Sequence, residues 1–275
     1  MKRLALLLLL FSFSLQAQVP FRFTLRYPRP KISTPLSIVL QSPDGRTDTI
    51  FSDTLRFLSK KVRNVRTYAD DFMRQFVREI FIPGDYRLSL TLDTSTQEIP
   101  FSLLGDELMV EAGLSFNYYD SSVSHAFSLL NVYRPAPQGI TLYYLGADTL
   151  QRKLLFHLVN QSNDTLYDGG KNIFSVDVQH YPDIEAPHAH LDYDGFPNPP
   201  LLPARSLKLT KKTSLLSPGR CRASVCFFTE KGRRSFLCTY SVGDVIYHSI
   251  WHHTEANIVY VATCDLFLTT IDLKN

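Results

Sequence analysis

The chain has little glycine, 12 residues in 275, only three methionines and one tryptophan, and no apolar stretch that reaches the ~20 residues a membrane-spanning helix needs. So little glycine excludes collagen-like repeats and glycine-rich linkers. Neither sign of charge dominates: 29 Lys+Arg stand against 26 Asp+Glu, a net +3 at pH 7, and the electrostatic footprint of a nucleic-acid binder is missing. The local signatures of catalysis are missing too. There is no Gly-x-Ser-x-Gly elbow and no His-Glu-x-x-His helix, and Asp168-Gly169-Gly170-Lys171 lacks the helix entry of a phosphate loop. Adjacent carboxylates such as Asp70-Asp71 point apart on a helix and make no acid-base pair. What remains is an ordered chain, 44% hydrophobic and 20% charged, with ample length to bury a core.

The N-terminus supplies the first positive signal. Basic Met1-Lys2-Arg3, an apolar run from Leu4 to Phe13 and the exit Ser14-Leu15-Gln16-Ala17-Gln18 follow the order of a secretory signal peptide, with cleavage expected after Ala17. The mature chain is then expected in the periplasm or outside the cell, without a transmembrane helix. No cysteine precedes Cys221, so no lipid-modified cysteine is expected beside the cleavage site. Export also makes disulfides available to Cys221, Cys226, Cys238 and Cys264, with three full pairings open. The alternative is that they are small buried apolar side chains. Their spacing does not suit a four-cysteine zinc site.

Most of the chain from Gln18 onward reads as short runs rich in Val, Ile, Phe, Tyr and Thr between turn signals, the pattern of antiparallel sheets. Phe21, Phe23, Leu25 and Tyr27 alternate with Arg22, Thr24 and Arg26, as in a half-buried strand. Ser42-Pro43-Asp44-Gly45 is a tight turn between two strands. The period then changes: Leu55, Leu58, Val62, Val65, Ala69, Phe72, Phe76 and Ile80 recur at three and four, which predicts one amphipathic helix over about 53–80. The fold expected is mainly β: two antiparallel β-sandwich domains, 18–134 and 138–275, after a signal peptide at 1–17, divided at Pro135 and Pro137. Within the second domain, Arg222–Thr229 is expected to form a hairpin with Ser235–Val242 across Glu230-Lys231-Gly232-Arg233.

The turn Ile82-Pro83-Gly84-Asp85-Tyr86-Arg87-Leu88, which feeds a strand, gives the first half a resemblance to transthyretin-like or carboxypeptidase-regulatory-like modules. The second half, where Ser217-Pro218-Gly219 precedes a late strand, resembles an immunoglobulin-like or fibronectin-III-like sandwich. Both resemblances imply binding or scaffolding and carry over no catalytic residue.

The densest set of candidate ligands is His180, Asp183, Glu185, His188, His190, Asp192 and Asp194. In an extended segment His188, His190, Asp192 and Asp194 share a face, so with His180 they could hold zinc or another divalent metal. The many prolines around them, Pro182, Pro187 and Pro197 among them, equally mark a polar surface loop. A second histidine group, His248, His252 and His253, surrounds Trp251. The pairs Tyr118-Tyr119 and Tyr143-Tyr144 must each split across the two faces of a strand, which turns one tyrosine of each pair away from the core, where it could stack on a sugar. Together these readings give an exported, non-catalytic protein that binds a protein or another envelope component, without cofactor, nucleic acid or catalytic residues. The alternatives are a metal-binding protein or metal-dependent enzyme, and a carbohydrate-binding module.

Overall fold

The computed structural model describes residues 19–27, 34–55, 72–80, 83–92, 95–117, 125–168, 174–181, 200–214, 216–229, 239–242, 245–248 and 256–273. Every extended regular element among them is a strand. The chain divides into two compact units: Met1–Val132 with Arg234–Ala256, and Tyr133–Arg233 with Asn257–Asn275.

The first unit contains β1 (Val19–Tyr27), β2 (Thr34–Gln41), β3 (Thr47–Leu55), β4 (Phe72–Ile80), β5 (Gly84–Leu92), β6 (Ser95–Leu103), β7 (Met109–Asn117) and most of β8 (His125–Pro135). One sheet has the order β3-β2-β5-β6, and the other places β4, β1, β7 and β8 side by side. Phe21, Phe23 and Leu25 are fully buried while Arg22 and Thr24 are not, so the alternation in β1 has its expected meaning. Their face meets Ile38, Leu88, Ile99 and Phe101 of the opposite sheet in one core, with Phe21 stacked 6.5 Å from Phe101. The turn at Pro43 closes through Gly45 N–H on the Ser42 carbonyl (3.0 Å), with Gly45 at φ 81. Gly84 opens β5 at φ 140, where a Cβ would lie 2.8 Å from Cγ of Pro43. A side chain there would push the hairpin turn away.

Two expectations are corrected in this unit. Phe72–Ile80 is strand β4, antiparallel to β1 from Val19↔Ile80 to Tyr27↔Phe72, and not the end of a helix. A spacing of four fits either structure, because it returns to the same face of a helix and, being even, to the same face of a strand. Here Ile80 is buried and Phe76 packs edge-on against Phe51 at 5.9 Å. The earlier part of the expected helix, 56–71, lies outside the described residues. Nor is the unit purely antiparallel, since β1 runs parallel to β7 from Phe21↔Val110 to Arg26↔Ser115.

The second unit contains β9 (Ile140–Asp148), β10 (Lys153–Asn160), β11 (Leu166–Asp168), β12 (Asp177–His180), β13 (Arg205–Lys212), β14 (Gly219–Thr229) and, after β15 (Thr239–Val242) and β16 (Val245–His248), β17 (Asn257–Leu268). One sheet is β13-β10-β9; in the other, β14 lies between β17 on one side and β11 and β12 on the other. Leu142, Leu154, Phe156, Leu158 and Leu209 of the first sheet share a core with Val178, Ala223, Val225, Phe227 and Leu266 of the second. β14 pairs with β17 from Gly219↔Leu268 to Phe227↔Tyr260 and with β11 and β12 along its other edge, so Thr239–Val242, the described part of the strand expected beside it, is not its partner; residues 230–238 lie outside the described residues. Instead β15 and β16 pair with each other, a hairpin that falls within the first unit.

Candidate functional site

His180 ends β12 directly opposite Cys221 of β14. Its Nδ1 lies 3.2 Å from Cys221 Sγ, and its Nε2 lies 3.3 Å from both the backbone nitrogen and Oγ of Ser217. The Ser217 amide can only donate, so Nε2 carries the lone pair and Nδ1 carries the proton, directed at sulfur. Burial raises the Cys221 thiol above its ordinary value, so it is a neutral thiol rather than the thiolate of a nucleophilic cysteine. For His180 to act as a base toward Ser217, its lone pair would have to be free of the amide. Both ring nitrogens are instead spent on fastening β12 to β14 and to the turn before it, a structural staple.

Cys221 and His180 are two donors, and a metal needs more. Among the described residues no group of three or more His, Cys, Asp or Glu is placed to hold an ion. His188, His190, Asp192 and Asp194, like Asp183 and Glu185, lie outside the described residues, as do His252 and His253. His248 belongs to β16, opposite Thr239.

Next to His180 the outer face of the same sheet holds a charged cluster that no local motif announces. Asp265 on β17 accepts from Tyr181 Oη (3.0 Å), Arg222 Nε (3.0 Å) and Arg220 Nη2 (3.3 Å). The Tyr181 ring carries the Arg220 guanidinium 4.3 Å and that of Arg222 5.2 Å from its centroid. The Arg222 hydrogen bond holds the Asp265 carboxyl below its ordinary value, while desolvation and then the bond to Asp265 hold the Tyr181 phenol above its own. The carboxylate's contribution to stability is thus present above its ordinary pKa and lost as pH falls through the depressed one. The groups are exposed and the effect is small. Three donors converge on the one carboxylate, so Asp265 is committed to holding this ion-pair network together.

The cysteines follow from the register. Cys221 faces the core opposite Leu266; Cys264, opposite Ala223, faces the same side; Cys226, an odd number of residues from Cys221, faces the other. Disulfides Cys221–Cys226 and Cys226–Cys264 would have to cross the sheet. Of the three full pairings only Cys221–Cys264 with Cys226–Cys238 survives, and Cys238 lies outside the described residues. Cys221 and Cys264 are thiols here, two positions out of register with each other. Desolvation, and then the negative charge of Asp265, push the Cys264 thiol up to about 11. At pH 8 its thiolate fraction is about one in a thousand, so alkylation by iodoacetamide is expected roughly two orders of magnitude slower than in denaturant. Peptide mass spectrometry over a pH series gives the rate. Folding favours the neutral thiol, so this group's contribution to stability is intact below about pH 9 and declines as pH rises toward 11.

The third arrangement is the outer face of the sheet β13-β10-β9. The register forms transverse rows: Thr141, Val159 and Ser206; then Tyr143, His157 and Lys208; then Gly146, Leu155 and Thr210; then Asp148, Lys153 and Lys212. Tyr144 turns inward against Phe156, 5.4 Å between ring centroids, and Tyr143 turns outward with 51% of its surface exposed. The split between adjacent tyrosines is the one required by the strand period. Tyr118 and Tyr119 lie outside the described residues. A bulge at Leu145, with Gly146 at φ 117, resets the alternation and leaves Leu145 54% exposed beside Tyr143. The face joins an aromatic ring, aliphatic surface, hydroxyls, an imidazole and ammonium groups on one sheet.

The chain matches no protein-family model, no curated protein and no solved structure. Its function must therefore be argued from these three arrangements.

Proposed function

We propose that this protein is an exported, non-catalytic interaction or structural module of the cell envelope or exterior, built from sandwiches of the transthyretin-like and immunoglobulin-like kind. The observation that carries the reading is the contrast between the two polar clusters and the outer face of β13-β10-β9. In the clusters, His180 has both ring nitrogens engaged and Asp265 is ringed by three donors. The sheet face leaves Tyr143 and Leu145 about half exposed beside Lys208 and Lys212. An aromatic and aliphatic surface rimmed by charge is the composition of a recognition surface, whereas catalysis needs a nucleophile or base with an uncommitted lone pair. No helix among the described residues is long and apolar enough to cross a membrane. The basic, apolar and small-residue order of the N-terminus supports export.

The test is made on the protein as produced by its own cells. Fractionation followed by N-terminal sequencing should find the chain in the envelope or the medium, beginning near Gln18, and elemental analysis after dialysis should find no stoichiometric metal. Retention of Met1 in the cytoplasm would overturn the export. One equivalent of zinc or manganese that disappears when His188 and His190 are both replaced by alanine would replace the reading with a metalloprotein built on the loop from His180 to Asp194.

A further inference from the structure

We propose that the outer face of β13-β10-β9 binds an anionic polysaccharide, one whose sugars carry carboxylate or sulfate groups. The proposal rests on the interaction reading above and names its ligand. The row Tyr143, His157 and Lys208 runs at right angles to the strands, so its three side chains are spaced by the inter-strand distance of about 4.8 Å. A sugar ring is of comparable width, and a glycan laid along this row would meet in turn a ring to stack on, an imidazole that both donates and accepts, and an ammonium. The rows on either side supply what the rims of a sugar ring require. Leu155 and Val159 give apolar surface for its C–H faces, and Thr141, Ser206 and Thr210 give hydroxyls.

Charge decides the class of glycan. Lys153, Lys208 and Lys212 face outward on this sheet against the single carboxylate of Asp148. Asp148 already accepts from the Gln151 amide, and Lys153 donates to Gln151 Oε1. Lys211, on the other side of β13, is paired with Asp177 and adds nothing to this face. A chain of nearly balanced overall charge thus concentrates cations on the same surface as its exposed tyrosine, which favours acidic over neutral ligands and makes binding sensitive to salt. The competing occupant is an anionic lipid surface, for which Leu150, 96% exposed at the tip of the β9–β10 turn, would be the inserting residue. That leucine stands alone, while the hydroxyl and imidazole groups of the sheet suit a ligand with many donors and acceptors.

The experiment passes the full mature chain over immobilised polygalacturonate, chondroitin sulfate and neutral dextran, and mixes it with phosphatidylglycerol vesicles. Retention is expected on at least one acidic polymer, not on dextran, and should fall as salt is raised. Tyr143→Ala should weaken it at least tenfold and Tyr143→Phe should restore most of it. Lys208→Glu with Lys212→Glu should abolish it, and Arg46→Ala, in a turn of the first unit, should leave it unchanged. Equal retention on dextran, retention indifferent to Tyr143→Ala, vesicle binding that requires Leu150, or no retention on either acidic polymer overturns the proposal. None of these outcomes touches the evidence for export or for metal, so the module reading stands or falls on its own test.

Discussion

Replacing Asn160 by aspartate is expected to cost about 3 kcal/mol of stability at pH 7, although the two side chains have the same shape. Asn160, at the end of β10, is fully buried. Its Nδ2 donates to the carbonyls of Asp164 (2.8 Å) and Leu201 (3.2 Å). Its Oδ1 accepts from the amide (3.1 Å) and the hydroxyl (2.7 Å) of Ser162. One amide therefore folds the loop after β10 and ties it to Leu201, whose backbone pairs in both directions with Leu166. Aspartate keeps the accepting half of this arrangement and turns the donating half into a carboxylate oxygen aimed at two carbonyls in a fully buried position. Burial and that repulsion raise the new carboxyl's pKa above its unfolded value. The sign follows: the folded state favours the proton, so stability is recovered below the unfolded pKa and lost as pH rises through the folded one. Urea melts at pH 4 and pH 7 are the measurement, and a deficit equal at both values would mean that the donated hydrogen bonds, not the charge, carry the cost.

Local period was enough to read much of this fold and little of its pairing. Alternation in Phe21, Phe23 and Leu25, the turn at Pro43 to Gly45 and the opposed faces of Tyr143 and Tyr144 are properties of consecutive residues, which the strand period determines. The sequence of β4 reads as helix because Phe76 and Ile80 are four apart, a spacing common to both periods, and only the partner strand β1 decides between them. That partner is some fifty residues away in the chain, and the parallel neighbour β7 is farther still. The polar clusters were hidden for the same reason. His180 stood out as a candidate ligand, but its engagement depends on Ser217 and Cys221, and Asp265 reaches Tyr181 across 84 positions. Nothing near Arg220 or Arg222 in sequence marks them as its partners. The face of β13-β10-β9 was half legible: a tyrosine could be expected to look outward, but that His157 and Lys208 extend its row is a matter of register.

Replacing Phe156 by alanine is expected to cost about 3–5 kcal/mol. The residue lies at the middle of β10, the central strand of its sheet, between Tyr144 on β9 and Leu209 on β13, and it is wholly buried. β13 is held to β10 by an unbroken ladder and β9 by one interrupted only at the Leu145 bulge, so the sheet cannot close over the missing ring by shifting one strand alone. The loss comprises the transfer of the ring out of water, its tilted contact with Tyr144 at 5.4 Å, and a cavity that the neighbours fill only in part. Phe267 is the matching control. It is on β17, 67% exposed and opposite Arg220, and its replacement by alanine should change stability by no more than about 0.5 kcal/mol. Urea melts followed by tyrosine fluorescence compare the two variants at constant pH and salt. A Phe156→Ala cost below about 1 kcal/mol would mean that the sheets relax to fill the space, and that the face carrying Tyr143 is softer than the rigid platform required for sugar binding.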